Sequence, residues 1–140
     1  MKGLTSLKLL DLGESEIADE GLEHLKGLTS LYALDVRRTH IGSSTQITDT
    51  GLEHLKGLTN LQKLNLEGTE VTDTGLMHLQ GLTSLEELTL YNTKVTDAGL
   101  EPLKGMTNLR RLYIGYPKVT WNGRAMLRNA LPNCTITPDP

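Results

Sequence analysis

His24, His54 and His78 each follow a Gly-Leu-x triplet in three consecutive stretches of the chain. Three imidazoles brought into one column would be candidate ligands for a zinc-type ion. The fourth occurrence of that slot holds Pro102, and no cysteine or carboxylate joins the three at ligand spacing, so the column reads as a solvated helix face and no metal is expected. Cys134 is the single cysteine, which excludes an internal disulfide framework. Its setting in LPNCTI, a strand-like layer closing the chain, points to a buried structural thiol rather than a nucleophile. The remaining chemistry is recognition: Tyr91, Tyr113 and Tyr116 gather with Arg111, and Tyr and Arg are the types that most often carry interface energy.

All of these residues are positioned by one repeated stretch. LQKLNLEGTEVTDTGLMHLQGLTS, residues 61–84, recurs with small edits at 7–30, 31–60 and 85–108, and a closing copy runs over 109–136. The copy at 31–60 is longer by six residues, carried by RRTHIGSSTQ, whose Gly, Ser and Thr content predicts a protruding loop. Within a copy the apolar period changes. Leu64 and Leu66 alternate with polar residues, as in a short half-buried strand, whereas Leu76 and Leu79 sit three apart behind Thr72 and Asp73, as in a capped helix. Neither half can bury its apolar side alone, so copies must stack around Leu61, Leu64, Leu66, Val71, Leu76, Leu79 and Leu82 and their equivalents.

The frame T-x-I/V-T-D-x-G-L, in phase over essentially the whole chain, resembles the leucine-rich repeat proteins, in the class common in bacterial repeat proteins and similar to F-box-associated repeats. The resemblance implies an α/β solenoid with a parallel sheet on the concave face and short helices on the convex face, in a single domain over 1–140. It also implies a non-catalytic module that binds another protein. After each strand, where many such repeats carry Asn or Cys, this chain has Ser15, Thr39 or Thr45, Thr69, Thr93 and then Pro117, so a ladder of turn hydroxyls is expected to end at Pro117. Gly21, Gly51, Gly75 and Gly99 read as small residues that let helix approach strand.

Strand alternation assigns three exposed columns: Leu9, Ala33, Lys63, Glu87, Arg111; then Asp11, Asp35, Asn65, Thr89, Tyr113; then Gly13, Arg37, Glu67, Tyr91, Gly115. Lys63, Glu87 and Arg111 alternate in sign and Arg37 faces Glu67, which leaves Asp11 and Asp35 without a cation in their own column. The expected contact set is Asp35, Arg37, Lys63, Asn65, Glu67, Glu87, Thr89, Tyr91, Arg111, Tyr113 and Tyr116.

Other function classes are argued against. A net charge of −3 offers no basic stripe for nucleic acid, and no apolar run approaches membrane-spanning length. MKGLTSLKLL lacks the apolar core and cleavage site of a signal peptide, which makes the cytoplasm the default compartment. No Gly-rich phosphate loop follows a strand, and the frame puts no nucleophile beside a His and a carboxylate, so neither catalysis nor a cofactor is expected.

The ends depart from the pattern. KGLTS at 2–6 matches KGLTS at 26–30, so the chain opens on the tail of a repeat. The strand Leu9 to Gly13 should therefore be a sheet edge with Leu7, Leu10 and Leu12 poorly covered. A fragment of a longer array would look this way, as would a chain that pairs with a second copy through that edge. At the other end Trp121 replaces the repeat's Asp and Arg124 its Leu, on a longer helix to about Ala130; Trp121 is expected to shield the last layer.

Overall fold

The structure, a computed structural model, describes residues 4–38, 46–115 and 118–137. Six three-residue strands, β1 (Leu9–Asp11), β2 (Ala33–Asp35), β3 (Lys63–Asn65), β4 (Glu87–Thr89), β5 (Arg111–Tyr113) and β6 (Thr135–Thr137), form one parallel sheet in chain order. The polypeptide returns between strands through α1 (Asp19–Glu23), α2 (Asp49–Glu53), α3 (Asp73–Leu76) with a 3-10 turn Met77–Leu79, a 3-10 segment Asp97–Gly105, and α4 (Trp121–Ala130). The fourth return is 3-10 where others begin as α. Pro102 lies inside it, and a residue without an N–H cannot close an i to i−4 bond.

Leucines form the layers expected of them: Leu61, Leu64, Leu66, Val71, Leu76, Leu79 and Leu82 are fully buried or nearly so, with their counterparts in the other copies. Cover fails toward the first strand. Leu7, Leu10 and Leu12 are only partly buried, and Leu9 is 55% exposed. Ser15, Thr69 and Thr93 donate their hydroxyls to the carbonyls of Leu12, Leu66 and Leu90 at 2.5, 2.7 and 2.8 Å, so the turn ladder forms. Thr39, Thr45 and Pro117, and the inserted loop up to Thr45, lie outside the described residues.

What fastens one copy to the next is a polar rung on the helical side. Asp19 Oδ1 accepts the Thr48 N–H at 2.8 Å while its Oδ2 accepts the Thr48 hydroxyl at 2.6 Å. Asp49 holds Thr72, Asp73 holds Thr96 and Asp97 holds Thr120 in the same way, at 2.6 to 2.8 Å. Each captured threonine is also the N-cap of its own helix, accepting the N–H of Thr50, Thr74, Ala98 or Gly123. Cap and rung thus share one hydroxyl, and they orient it from both sides.

This geometry corrects the reading of the glycine column. A Cβ on Gly51, Gly75, Gly99 or Gly123 would overlap the preceding copy's Asp carboxylate, so glycine makes room for the rung rather than for a strand. Gly21 has no such carboxylate before it; Ile17 fills that space, and Ala18 offers no side-chain cap to α1. Trp121 is a second correction. It is 67% exposed, because the first residue of α4 behind the Thr120 cap faces solvent, so most of it lies outside the core. Arg124 instead enters the core at 0% exposure and donates from Nη2 to the Ile114 carbonyl at 3.1 Å.

Asp73→Ala should lower stability to urea by about 1–3 kcal/mol, the range for losing charge-assisted bonds, without changing the fold. Gly75→Ala should also destabilise, but less so in an Asp49→Ala background. An additive double-mutant cycle would show that glycine and rung are uncoupled. Cys134 is buried, and burial pushes its thiol above the ordinary value against a smaller opposing influence of Arg110. It should react with a soluble disulfide reagent at pH 8 at least about tenfold more slowly than free cysteine, and reach the free rate in denaturant.

Candidate functional site

The sheet register puts Leu9, Ala33, Lys63, Glu87, Arg111 and Thr135 side by side, and beside them Asp11, Asp35, Asn65, Thr89, Tyr113 and Thr137. The first two exposed columns are therefore those read from alternation. Beyond the strand ends, Glu14, Arg38 and Gly68 donate their N–H groups to the carbonyls of Arg37, Glu67 and Tyr91, which carries the same register into the third column.

Charges on this face are arranged differently from the expectation. Asp35 Oδ2 takes the Arg37 guanidinium at 3.0 Å and the Asn65 amide at 3.1 Å, while its Oδ1 caps the Arg37 N–H at 2.9 Å. Asp35 is thus neutralised along its own strand, not across a column. Glu67 is paired with Arg38 Nη2 at 2.5 Å rather than with Arg37. The cause is the backbone: Arg38 has φ +49°, in the left-handed region, so strict alternation stops there and its side chain swings over the neighbouring repeat. Glu14, Gly68 and Asn92 occupy the equivalent slot with φ +59°, +69° and +53°.

A local signal accounts for this and could have been read earlier. Asp11, Asp35 and Asn65 each accept the backbone N–H two residues on, from Gly13, Arg37 and Glu67, at 2.9 to 3.0 Å. Such Asx bonds end the strand. They give the stacked Asp pair a structural use, although among the described residues Asp11 has no ion-pair partner.

Toward the C-terminal half, Arg111 donates from Nε at 3.0 Å and from Nη2 at 2.6 Å to Glu87 Oε2. That bond, with the charge of Glu87, holds the guanidinium pKa above its usual value. Lys63, expected to share Glu87, makes no ion pair among the described residues. Tyr91 and Tyr113, both half-buried, meet edge to face, with ring centroids 6.1 Å apart and planes at 61°. Tyr116 lies outside the described residues. At the N-terminal end of the same face, small side chains leave a hollow of about 250 Å3, lined by Leu9, Asp11, Ala33, Asp35, Lys63 and Thr89 among others.

Among the described residues no cluster of His, Cys, Asp and Glu could hold a metal ion, and no helix is long and apolar enough to cross a membrane.

Comparison with known proteins agrees with this architecture. The two-copy leucine-rich repeat family matches residues 59–102, and the single leucine-rich repeat family matches residues 3–26. No curated protein sequence matches the chain. Among solved structures, internalin C2 of Listeria monocytogenes str. 4b F2365 is similar at a TM-score of 0.76, with 32% identity, over 97% of this chain and 53% of its own. The chain thus spans about half the length of that internalin. A second internalin of the same strain is similar at a TM-score of 0.62 and 25% identity, over 95% of this chain and 41% of its own. Actin-binding site 2 of leiomodin-1 reaches 0.69 at 19% identity, over 90% of this chain and 79% of its own, a likeness of fold alone. With six parallel strands in register, a layered leucine core and matches to repeat families at 3–26 and 59–102, the protein is a leucine-rich repeat solenoid.

Proposed function

We propose that this chain is a non-catalytic protein-interaction module, a single domain whose concave sheet face is the binding surface. The observation that carries the reading is the ordered cluster at the C-terminal half of that face, Tyr91 and Tyr113 packed edge to face near the Arg111–Glu87 pair. Aromatic rings and arginine are the groups that concentrate binding energy when desolvated. Asp35, Arg37, Lys63, Asn65, Glu67 and Thr89 extend the contact set across the face, and Tyr116 belongs to it by sequence position. The Asp-Thr-Gly rungs support the narrower class T-x-I/V-T-D-x-G-L within the leucine-rich repeats.

A second reading, self-association through the edge of β1, is favoured by Leu4 and Leu9, which are 47% and 55% exposed. Sedimentation at several concentrations separates the two: a chain that stays monomeric at high concentration sinks the second.

For the first, the intact chain and a Tyr91→Ala, Arg111→Ala, Tyr113→Ala variant are compared in pull-downs from lysate, after both are shown to melt alike. A protein captured by the intact chain and lost by the variant is the expected outcome; equal capture by both moves binding off this face.

A further inference from the structure

The convex side repeats a charge pair that one copy abandons. Glu23–Lys26, Glu53–Lys56 and Glu101–Lys104 are i,i+3 ion pairs at 3.4, 3.2 and 2.6 Å, in equivalent slots of the first, second and fourth copies. In the third copy both members change together, to Met77 and Gln80, and Met77 is 58% exposed. The neighbouring return adds Ala98 where the second and third copies have Thr, and Pro102 where three copies have His.

These substitutions lie together. Met77, Ala98 and Pro102 line a shallow hollow of about 510 Å3 with Asp73 on its wall. An adjoining hollow of about 530 Å3 shares Ala98 and Glu101 and extends to Asp97 and Met126. The floor of the joint groove is apolar. Its walls are acidic: Asp73 and Asp97 use two of roughly four lone-pair positions per carboxylate on their rungs, and among the described residues neither is in an ion pair. Glu101, by contrast, is already matched by Lys104.

We propose that this convex groove between the third and fourth copies is a second docking surface, and that its occupant is a basic amphipathic helix of a partner protein. Aliphatic side chains of that helix would cover Met77, Ala98 and Pro102, with Lys or Arg beside Asp73 and Asp97. A helix is chosen over an extended strand because this side of the solenoid has no sheet edge to augment, and a helix satisfies its own backbone. The inference is independent of the concave reading, since no residue is shared.

The test is a binding titration by fluorescence anisotropy with two labelled helical peptides of roughly 18 residues, or five turns, one built from Leu and Lys and the other from Leu and Glu. Met77→Glu with Gln80→Lys restores the repeat's own ion pair and leaves the net charge at −3, so non-specific attraction is the same in both proteins. The Leu/Lys peptide should bind the intact chain and bind the double variant at least about tenfold more weakly, while the Leu/Glu peptide shows no saturable binding. Equal affinity for both proteins, or no binding of the Leu/Lys peptide, overturns the proposal. Loss of binding in the Tyr91, Arg111, Tyr113 variant but not in the double variant places the peptide on the concave face and overturns it as well.

Discussion

The solenoid depends on a carboxylate reaching from one copy into the next. Leucine layers supply most of the driving force for stacking, but apolar burial is non-directional and would tolerate a slip between copies. The rung would not. Asp19, Asp49, Asp73 and Asp97 each receive both an N–H and an O–H from a threonine that is simultaneously capping a helix, so the position of each helix start after α1 is set by the copy before it. Glycine three residues after each captured threonine is the third part of the device, since any side chain at Gly51, Gly75, Gly99 or Gly123 would occupy the incoming oxygen's space. Asn60 and Asn108 tie the loops in a related way, each donating to a carbonyl of the preceding copy, Thr29 or Thr83, at 2.8 Å.

With register fixed on the helical side and the core filled by leucine, the strand positions on the concave face are not needed to set the register between copies. They vary accordingly: Leu9, Ala33, Lys63, Glu87 and Arg111 occupy one column, in which Ala33 alone is buried. The second column is less free at its N-terminal end, because Asp11, Asp35 and Asn65 cap backbone N–H groups where their strands end. That obligation lapses from Thr89 onward, and it is there that Tyr113 enters the column.

The solenoid, its strand register and its leucine layers were legible because they follow from period, and period is a property of the sequence alone. What was missed depends on local conformation or on partners distant along the chain. Arg38 rather than Arg37 reaches Glu67 because a positive φ breaks the alternation on which the columns were drawn. The glycine column was assigned to the wrong neighbour, since a carboxylate 26 to 32 positions earlier gives no sign of itself in the glycine's own surroundings. Trp121 looked like a cap because it is large and apolar, yet its place as the first helical residue turned it outward.

Exposed ion pairs contribute little net energy in water, so the Arg111–Glu87 pair matters for order more than for strength. Glu87 holds the guanidinium through two bonds to one oxygen, and the two tyrosine rings limit each other's rotation. Side chains already confined in the free protein lose less rotamer freedom when a partner covers them. On that argument a partner gains more at the Tyr91–Tyr113–Arg111 corner than at Lys63, whose ammonium no carboxylate among the described residues holds and whose stem would have to be immobilised on contact. The same reasoning separates the two faces: the corner is ordered by its own contacts, whereas Met77 on the convex side has lost the paired neighbour that the other copies keep, and only burial can recover what its exposure costs.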